Sequence, residues 1–244
     1  GARQAKKLKS ELNYILVNGS YKPDTKMVFN YQDNGRLSEI QYFARKQDNS
    51  IYMAKREEFQ YSNNQLQKIS GYDEFNRYSG FTSFAYNTAG KVNRIVEEAS
   101  TGVQTVGLVD YYYSPVTRLT EIQFSFSYSH NSIGMNYYQR YADGNRISDN
   151  SNTSNQSTET GQYDYDSNIN PYAHIGWLNL FLSHSSKNNV IRQQKSFYGN
   201  YPMAVAYSFS YKYDADGYPV ELVRQYKSYQ TGQHLYTTKT VYNY

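Results

Sequence analysis

A short tyrosine-centred phrase recurs along this chain of 244 residues at intervals of about 24 to 31 residues. In each copy an apolar or aromatic residue stands two positions before a tyrosine. A polar turn that often holds Gly or Asn follows, then another apolar residue and usually an Ile. The clearest copies span 29–40, 59–69, 84–95 and 211–222. Self-similarity at a fixed period is typical of proteins built from one repeated supersecondary unit, so the repeat constrains the fold more than any other feature.

Each unit predicts a β-hairpin. The turn residues after the tyrosine, such as Asn34-Gly35 and Asp216-Gly217, tolerate the positive φ angles that tight hairpin turns need. Seven or eight units predict an all-β, antiparallel meander of about 14–17 strands. We expect residues 1–244 to form a single β-repeat domain whose repeat anchors are Tyr31, Tyr61, Tyr86, Tyr113, Tyr141, Tyr165 and Tyr213.

Three stretches depart from the rhythm. The gap between Tyr165 and Tyr213 is about twice the shortest gap, which predicts a degenerate unit around 181–191. The polar stretch 149–161 predicts a mobile surface loop. The stretch 170–182 is the only long apolar run; it follows a proline and holds the only Trp, and it predicts a short helix or plug.

Composition limits the classes of function. The 30 tyrosines make up much of the 39% hydrophobic content, so we expect a thin, extended sheet whose surfaces are partly buried and partly solvated. The net charge of +4 comes from scattered basic residues and does not predict a nucleic-acid partner. Cysteine is absent, which excludes disulfides and thiolate metal sites. Gly1 looks like a residue left by cleavage, so we expect an export segment to have been removed.

A many-stranded antiparallel sheet rich in tyrosine could also be an outer-membrane barrel. A lipid-facing wall, however, needs an apolar band about 25 Å tall. In the stretch 51–61, Lys55 and Glu57 share one predicted face while Arg56 and Glu58 share the other. These charges predict a water-soluble sheet without transmembrane insertion, and most simply a monomer.

The repeat phrase resembles the YD repeats of Rhs and teneurin-type proteins, most closely in the stretch from Tyr86 to Ile95, although several copies lack the Asp. The whole chain resembles a family of secreted or lipid-anchored Bacteroidetes proteins of unknown function, the DUF4595 type, in the stretches 165–171 and 186–189. This resemblance implies a porin-like, strongly curved or barrel-like fold. It also implies export to the periplasm or anchoring at the outer membrane. It carries over no catalytic residues.

Residues for chemistry are scarce, and we predict neither catalytic residues, nor a metal, nor a cofactor. His174 and His184 lie ten residues apart, which is no recognised metal spacing. The series of oxygen ligands from Asp164 to Asn170 resembles a calcium loop but lacks the Gly and Glu of that motif, so an Asx-type turn is the better interpretation. Adjacent acids within one strand point to opposite faces, although acids from different strands could converge.

We predict an exported, non-enzymatic binding or scaffold protein with a polysaccharide or a cell-surface protein as its partner. The predicted ligand-binding residues are Tyr172, His174 and Trp177, because their segment interrupts the repeat and deviations from a scaffold are where function usually lies. Two alternatives remain. One is a glycan-acting enzyme whose acids converge across strands, and the other is a shell that encloses a partner polypeptide.

Overall fold

The protein is a closed antiparallel β-barrel of 16 strands in which every strand pairs with its neighbours in sequence. The computed structural model describes residues 5–128, 131–153, 156–176, 186–199 and 202–244, of which 131–133 and 156–157 are described by their backbone alone. Pairing of β1 with β16 closes the ring, from Ser10 opposite Asn243 to Ile15 opposite Thr238. The prediction of an all-β, barrel-like meander of about 14–17 strands is confirmed.

The strands are of similar length and are joined mainly by tight turns. Their bounds are β1 Ser10–Val17, β2 Ser20–Tyr31, β3 Leu37–Arg45, β4 Ile51–Ser62, β5 Gln65–Asp73, β6 Tyr78–Tyr86, β7 Val92–Ala99, β8 Gln104–Ser114, β9 Leu119–Tyr128, β10 Asn131–Ala142, β11 Asn145–Thr153, β12 Gln156–Ile169, β13 Asn188–Phe197, β14 Met203–Tyr213, β15 Pro219–Ser228 and β16 His234–Asn243.

The turns after the repeat tyrosines gather at one end of the barrel, here named the tyrosine end: the segments after β2, β4, β6, β8, β10, β12 and β14. The segments after the odd-numbered strands form the opposite end. At the tyrosine end Gly35, Gly90 and Gly217 adopt φ angles of 81°, 74° and 84°. Such left-handed conformations favour glycine, which accounts for the glycine in the repeat phrase.

The apolar residues of the repeat face the barrel interior. Directly opposed residues in an antiparallel pair share a face, and Phe29 lies opposite Ile40 while Phe59 lies opposite Ile69. Two buried clusters follow from this alternation. The larger contains Leu8, Phe29, Leu37, Ile40, Phe59, Ile69, Ile175, Leu222 and Tyr242, and the smaller contains Val92, Ile95, Val109, Ile122 and Phe124.

The repeat tyrosines link neighbouring strands through their hydroxyl groups. Seven tyrosines each donate a hydrogen bond to a backbone carbonyl at or near the start of the preceding outgoing strand, as Tyr31 does to Leu8 at 2.6 Å and Tyr61 to Leu37 at 2.9 Å. The other donor and carbonyl pairs are Tyr86 and Leu66, Tyr111 and Val92, Tyr165 and Arg146, Tyr211 and Val190, and Tyr244 and Pro219. We call this set the tyrosine ladder.

The predicted anchors Tyr113 and Tyr213 are displaced by two residues from the ladder. In those units Tyr111 and Tyr211 bind the carbonyl. Tyr113 is exposed, and Tyr213 donates to the Asp166 carboxylate instead. Tyr141 also departs from the ladder, since it donates to the Gln139 side chain at 2.7 Å.

One further expectation is wrong. The stretch 149–161, predicted as a mobile loop, lies largely in β11 and β12, where Asp149 is opposite Gly161. Asp149 suits this position because its carboxylate faces the interior, where it accepts from Tyr137 and Tyr163. The degenerate unit predicted around 181–191 lies partly outside the described residues, and the described part of that stretch enters β13 at Asn188.

The outer face of the wall carries paired charges. Arg56 lies between Glu39, at 3.3 Å, and Glu58. Arg140 pairs with Glu121 at 2.8 Å and Lys212 with Glu221 at 2.7 Å. No helix within the described ranges is long and apolar enough to cross a membrane.

Candidate functional site

The first part of the connection between β12 and β13, residues 170–176, enters the barrel at the tyrosine end. Its first residue, Asn170, is buried and pins the turn from both sides: its side-chain oxygen accepts from the Tyr172 amide at 2.9 Å, and its side-chain nitrogen donates to the Ser186 carbonyl at 2.9 Å. Ile175, which is 3% exposed, belongs to the larger core cluster. The described part of the segment therefore packs as a plug against the wall, as the sequence predicts.

Tyr172 is held in this plug by aromatic and polar contacts. Its ring meets Phe29 and Tyr242 edge-on, with centroids 6.3 and 6.4 Å apart. Its hydroxyl donates to the carboxylate of Glu11, a buried residue of β1. Burial first, and then the nearby Glu11 charge, raise the pKa of Tyr172 well above its usual value. Tyr172 thus joins the plug to β1, β2 and β16.

Of the other two predicted ligand-binding residues, His174 lies within the described residues. The His174 ring lies 5.9 Å from the Tyr218 ring, at the edge of the β14–β15 turn. Trp177 lies outside the described residues. The structure therefore brings Tyr172 and His174 to the same end of the barrel but against different neighbours.

A pocket of about 400 Å³ opens beside the plug at the tyrosine end. Gly176 forms its edge on the plug side, and strands β4 to β8 supply the wall through Tyr61, Phe84, Tyr86 and Tyr111. Its rim adds Asn64, Gln65, Leu66, Gly90, Lys91 and Val92. Pockets of about 300–1,000 Å³ with aromatic walls and a few polar groups are typical of small-ligand sites. We call it the tyrosine pocket.

The three tyrosines of this pocket belong to the tyrosine ladder. Their hydroxyl groups are bound to backbone carbonyls, which fixes the rings and leaves the ring surfaces for contact with a ligand. Burial raises the pKa of Tyr111 to about 12, so its hydroxyl stays protonated at neutral pH. The Lys91 ammonium lies 5.0 Å from the centroid of the Tyr111 ring, which places one cation at the rim.

A second cavity, of about 50 Å³, lies on the other side of the plug. Tyr172, Tyr211, Tyr242 and Arg224 line it, and Arg224 donates to the Thr240 hydroxyl at 3.1 Å. A liquid water occupies roughly 30 Å³. This cavity therefore has room for water beside the core and is small for a sugar.

The interior also brings two acids from different strands together. Glu57 of β4 and Glu97 of β7 line one cavity of about 230 Å³ beside Gly71 and Gly80. The Glu57 carboxylate already accepts from Tyr42 at 2.7 Å and pairs with Lys55 at 3.1 Å. Among the residues that the structure describes, no three acidic or histidine side chains converge in a way that could hold a metal ion.

The remaining motifs have local structural roles. Asp166 accepts from the Asn168 amide at 2.9 Å, which is an Asx turn, and it also binds Asn189 of β13. His234 shares a hydrogen bond with the Thr237 hydroxyl at 2.8 Å. His130 and His184 lie outside the described residues.

Sequence reasoning missed Phe84 and Tyr111 as pocket residues. Phe84 occupies the apolar position of a clear repeat copy, so nothing in the sequence distinguishes it as a pocket residue. Tyr111 stands in the run Tyr111-Tyr112-Tyr113, in which the frame of the repeat is ambiguous. The missing signal was the strand pairing: Tyr111 lies opposite Ile122 on the buried face.

The fold is a porin-like β-barrel of 16 strands. The chain is similar to a porin-like protein from Bacteroides uniformis ATCC 8492, with a TM-score of 0.61, 9% identity and 97% of each chain covered. A porin-like protein from Bacteroides vulgatus ATCC 8482 aligns over 98% of this chain and 99% of its own, at 10% identity and a TM-score of 0.44.

No family model matches the chain, and no curated protein matches it either. At 9% identity the first structural likeness shows the fold alone. The resemblances to the Bacteroidetes family and to YD repeats stay predictions.

Proposed function

We propose that this chain is an exported, non-enzymatic binding protein that holds a neutral glycan in the tyrosine pocket, in the periplasm or at the surface of a bacterial cell. The observation that carries the proposal is the pocket itself, with three fixed tyrosine rings, Phe84 and a polar rim in about 400 Å³.

The chemistry of the pocket favours a sugar over a flat apolar ligand. Sugar rings present C–H surfaces that stack on aromatic faces, and their hydroxyl groups need hydrogen-bond partners at the edges. Tyr86 and Phe84 supply aromatic surface, while Gln65 and Lys91 at the rim supply polar groups. The rim has one cation among amides, which suits an uncharged sugar better than a strongly anionic one.

The outer wall favours a protein that stays in water. An Arg or Lys facing the bilayer midplane costs about 2–4 kcal/mol, and Arg56, Arg140 and Lys212 all lie on the outer face with acidic partners. We therefore propose a soluble barrel without transmembrane insertion, a monomer with a polysaccharide or cell-surface protein as partner and no nucleic acid.

Tyr172, His174 and Trp177 keep a place in this proposal. The plug that carries Tyr172 and His174 reaches the pocket at Gly176, and Trp177 is the next residue in the chain. We propose that this segment sets the shape of the pocket wall. Because Tyr172 contacts Glu11 and Phe29, it also stabilises the folded barrel, whatever it contributes to ligand binding.

A glycan-acting enzyme is the second candidate, because Glu57 and Glu97 converge from different strands. Binding is favoured over hydrolysis because Glu57 is engaged by Tyr42 and Lys55, which leaves no free general acid opposite Glu97. The other alternative, a shell that encloses a partner polypeptide, is supported by no specific contact among the described residues.

The experiment is a glycan array followed by titration calorimetry of the best ligand. The variants Tyr86→Ala and Tyr31→Ala each remove one rung of the tyrosine ladder, but only Tyr86 lines the pocket. We expect Tyr86→Ala to weaken binding at least about tenfold while Tyr31→Ala keeps it. Equal loss in both, or no glycan bound at all, contradicts the proposal. If the protein hydrolyses the glycan and Glu97→Gln abolishes that hydrolysis, the result favours the second candidate, a glycan-acting enzyme.

A further inference from the structure

Exposed apolar side chains are concentrated at the opposite end of the barrel. Of the 15 large hydrophobic residues that are exposed in the described ranges, 11 lie in or beside the connections after the odd-numbered strands. The tyrosine end and the outer wall together hold the other four, Leu108, Tyr112, Tyr113 and Val116. We call the apolar set at the opposite end the apolar rim.

The apolar rim goes around the barrel. The β1–β2, β3–β4 and β5–β6 connections contribute Val17, Ile51 and Phe75. The β7–β8, β13–β14 and β15–β16 connections contribute Val103, Tyr198 and Tyr229. Tyr128 ends β9 beside the connection 129–130, which lies outside the described residues, as 154–155 does. Each of the other six connections of this end has an exposed apolar residue in or beside its described part.

The shape of the rim selects its occupant. Its apolar residues are spread one to three per connection around the mouth of a 16-strand barrel. A globular protein partner, or a second copy of the barrel, needs a contiguous patch with a dry centre. A lipid surface has no such requirement, because each connection can insert its own side chain independently. Tyrosine and phenylalanine also favour the boundary between headgroups and acyl chains.

The charge of the rim indicates which lipid surface it fits. The described connections of this end carry two basic residues, Lys46 and Arg77, and two acidic ones, Asp48 and Glu74. Such a balanced rim has no preference for anionic lipid. The charged outer wall, with Arg56 between Glu39 and Glu58, restricts insertion to the rim.

We propose that the apolar rim docks on the surface of a lipid bilayer, standing the barrel on the membrane without crossing it. The side chains of the rim enter the headgroup region, and the tyrosine pocket at the far end faces away from the lipid. The rim docks on zwitterionic lipid through apolar contacts, so its binding is insensitive to salt. This inference does not depend on the proposed glycan ligand.

The test is sedimentation with phosphatidylcholine vesicles at low and high salt. Ile51, Phe75 and Tyr229 are 59%, 67% and 57% exposed, so replacing all three by Ser removes rim surface without opening the core. The matched control replaces Tyr112, Tyr113 and Val116, which are 53%, 65% and 92% exposed, by Ser. We expect the rim variant to lose about tenfold or more in vesicle affinity and the control to bind like the parent protein.

A second measurement covers the case in which a triple variant fails to fold. The chain has no cysteine, so Phe75→Cys and Val116→Cys each accept one environment-sensitive dye. We expect a blue shift with vesicles from position 75 and none from position 116. The proposal is overturned if the parent protein does not bind the vesicles, or if the control variant loses as much vesicle affinity as the rim variant. It is also overturned if binding requires anionic lipid and is abolished by salt. If the parent protein forms a dimer without lipid and the rim substitutions dissociate that dimer, the proposal is overturned, and the rim is instead the interface with a second copy of the chain.

Discussion

The hydroxyl group of Tyr61 donates a hydrogen bond to the backbone carbonyl of Leu37, 2.9 Å away on the neighbouring strand. Leu37 is the first residue of β3, and Tyr61 is the next-to-last residue of β4. The bond therefore joins the two strands where their backbone ladder ends. Repetition of this bond around the tyrosine end explains why the sequence repeats a tyrosine, and it makes the bond itself open to test.

Removal of one ladder hydroxyl should lower stability measurably. In Tyr61→Phe the ring stays, while the partly buried carbonyl of Leu37 loses its donor, at a cost of about 1 kcal/mol. For a chain of this size that corresponds to a fall in Tm of roughly 2–4 °C. The control is Tyr112→Phe, at an exposed position. Calorimetry that finds the same small change in both variants contradicts a stabilising ladder.

The ion pair of Arg146 and Asp149 should be the most sensitive charge pair in the barrel. Both side chains are 3% exposed, and Asp149 also accepts from Tyr137 at 2.9 Å and Tyr163 at 2.6 Å. Asp149→Ala leaves a buried guanidinium without its counter-charge, which costs about 3–5 kcal/mol.

The exposed pair of Arg192 and Asp164 provides the control for Asp149→Ala. Asp164→Ala removes a carboxylate that water already surrounds, so we expect a change of at most about 1 kcal/mol. Urea denaturation of both variants measures the two free energies of unfolding. Comparable losses at Asp149 and Asp164 contradict the assignment of the interior pair as a buried one.

Stability should fall in alkali because of the ladder tyrosines. Burial raises the pKa of Tyr111 and of Tyr165 to about 12, whereas a tyrosine in the unfolded chain titrates near 10. The folded state therefore holds protons that the unfolded state releases, and the contribution of these groups is complete below pH ~10 and is lost as pH rises from ~10 to ~12.

The measurement for this pH dependence is urea denaturation between pH 8 and 12, with tyrosinate absorbance recorded in parallel. We expect the free energy of unfolding to decline above pH ~10, and Tyr111→Phe to make the decline less steep. If every tyrosine ionises near pH 10 while the barrel stays folded, burial of the ladder is contradicted.

Much of the fold could be predicted from the sequence because its information is local. Each turn carries its own Gly or Asn, and the alternation around Phe59 indicates which side chains face inward. The side-chain faces predicted for Lys55 and Arg56 are confirmed by the pairing of Lys55 with Tyr42 and of Arg56 with Gln41. Closure of the ring depends on pairing of β1 with β16, which no local pattern indicates.

The site could be predicted only in part, because it depends on strands far apart in sequence. The break in the repeat indicated the segment of Tyr172, but not that its hydroxyl meets Glu11, 161 residues away. The same reason explains the error at 149–161. Polarity alone indicates a loop, yet Asp149 is inside, where Tyr137 and Tyr163 satisfy its carboxylate.

Gly161 provides the sharpest test of that interior arrangement. A Cβ atom at this position would lie 2.3 Å from Asp149 Oδ1 and 2.9 Å from the Tyr163 hydroxyl, so Gly161→Ala forces the buried cluster apart. Overpacking of this kind costs about 1–3 kcal/mol. The control is Gly102→Ala, where nothing lies within 4 Å and the cost is limited to strain at a φ of 82°.

The two glycine variants should also differ in where the barrel changes. Gly161→Ala should speed amide hydrogen exchange in β11 and β12, because the clash lies between Asp149 and its strand partner. Gly102→Ala should affect only the β7–β8 connection. Unchanged exchange in β11 and β12, together with unchanged stability, would mean that the Asp149 carboxylate does not occupy the space beside Gly161, and the buried cluster would have to be redrawn.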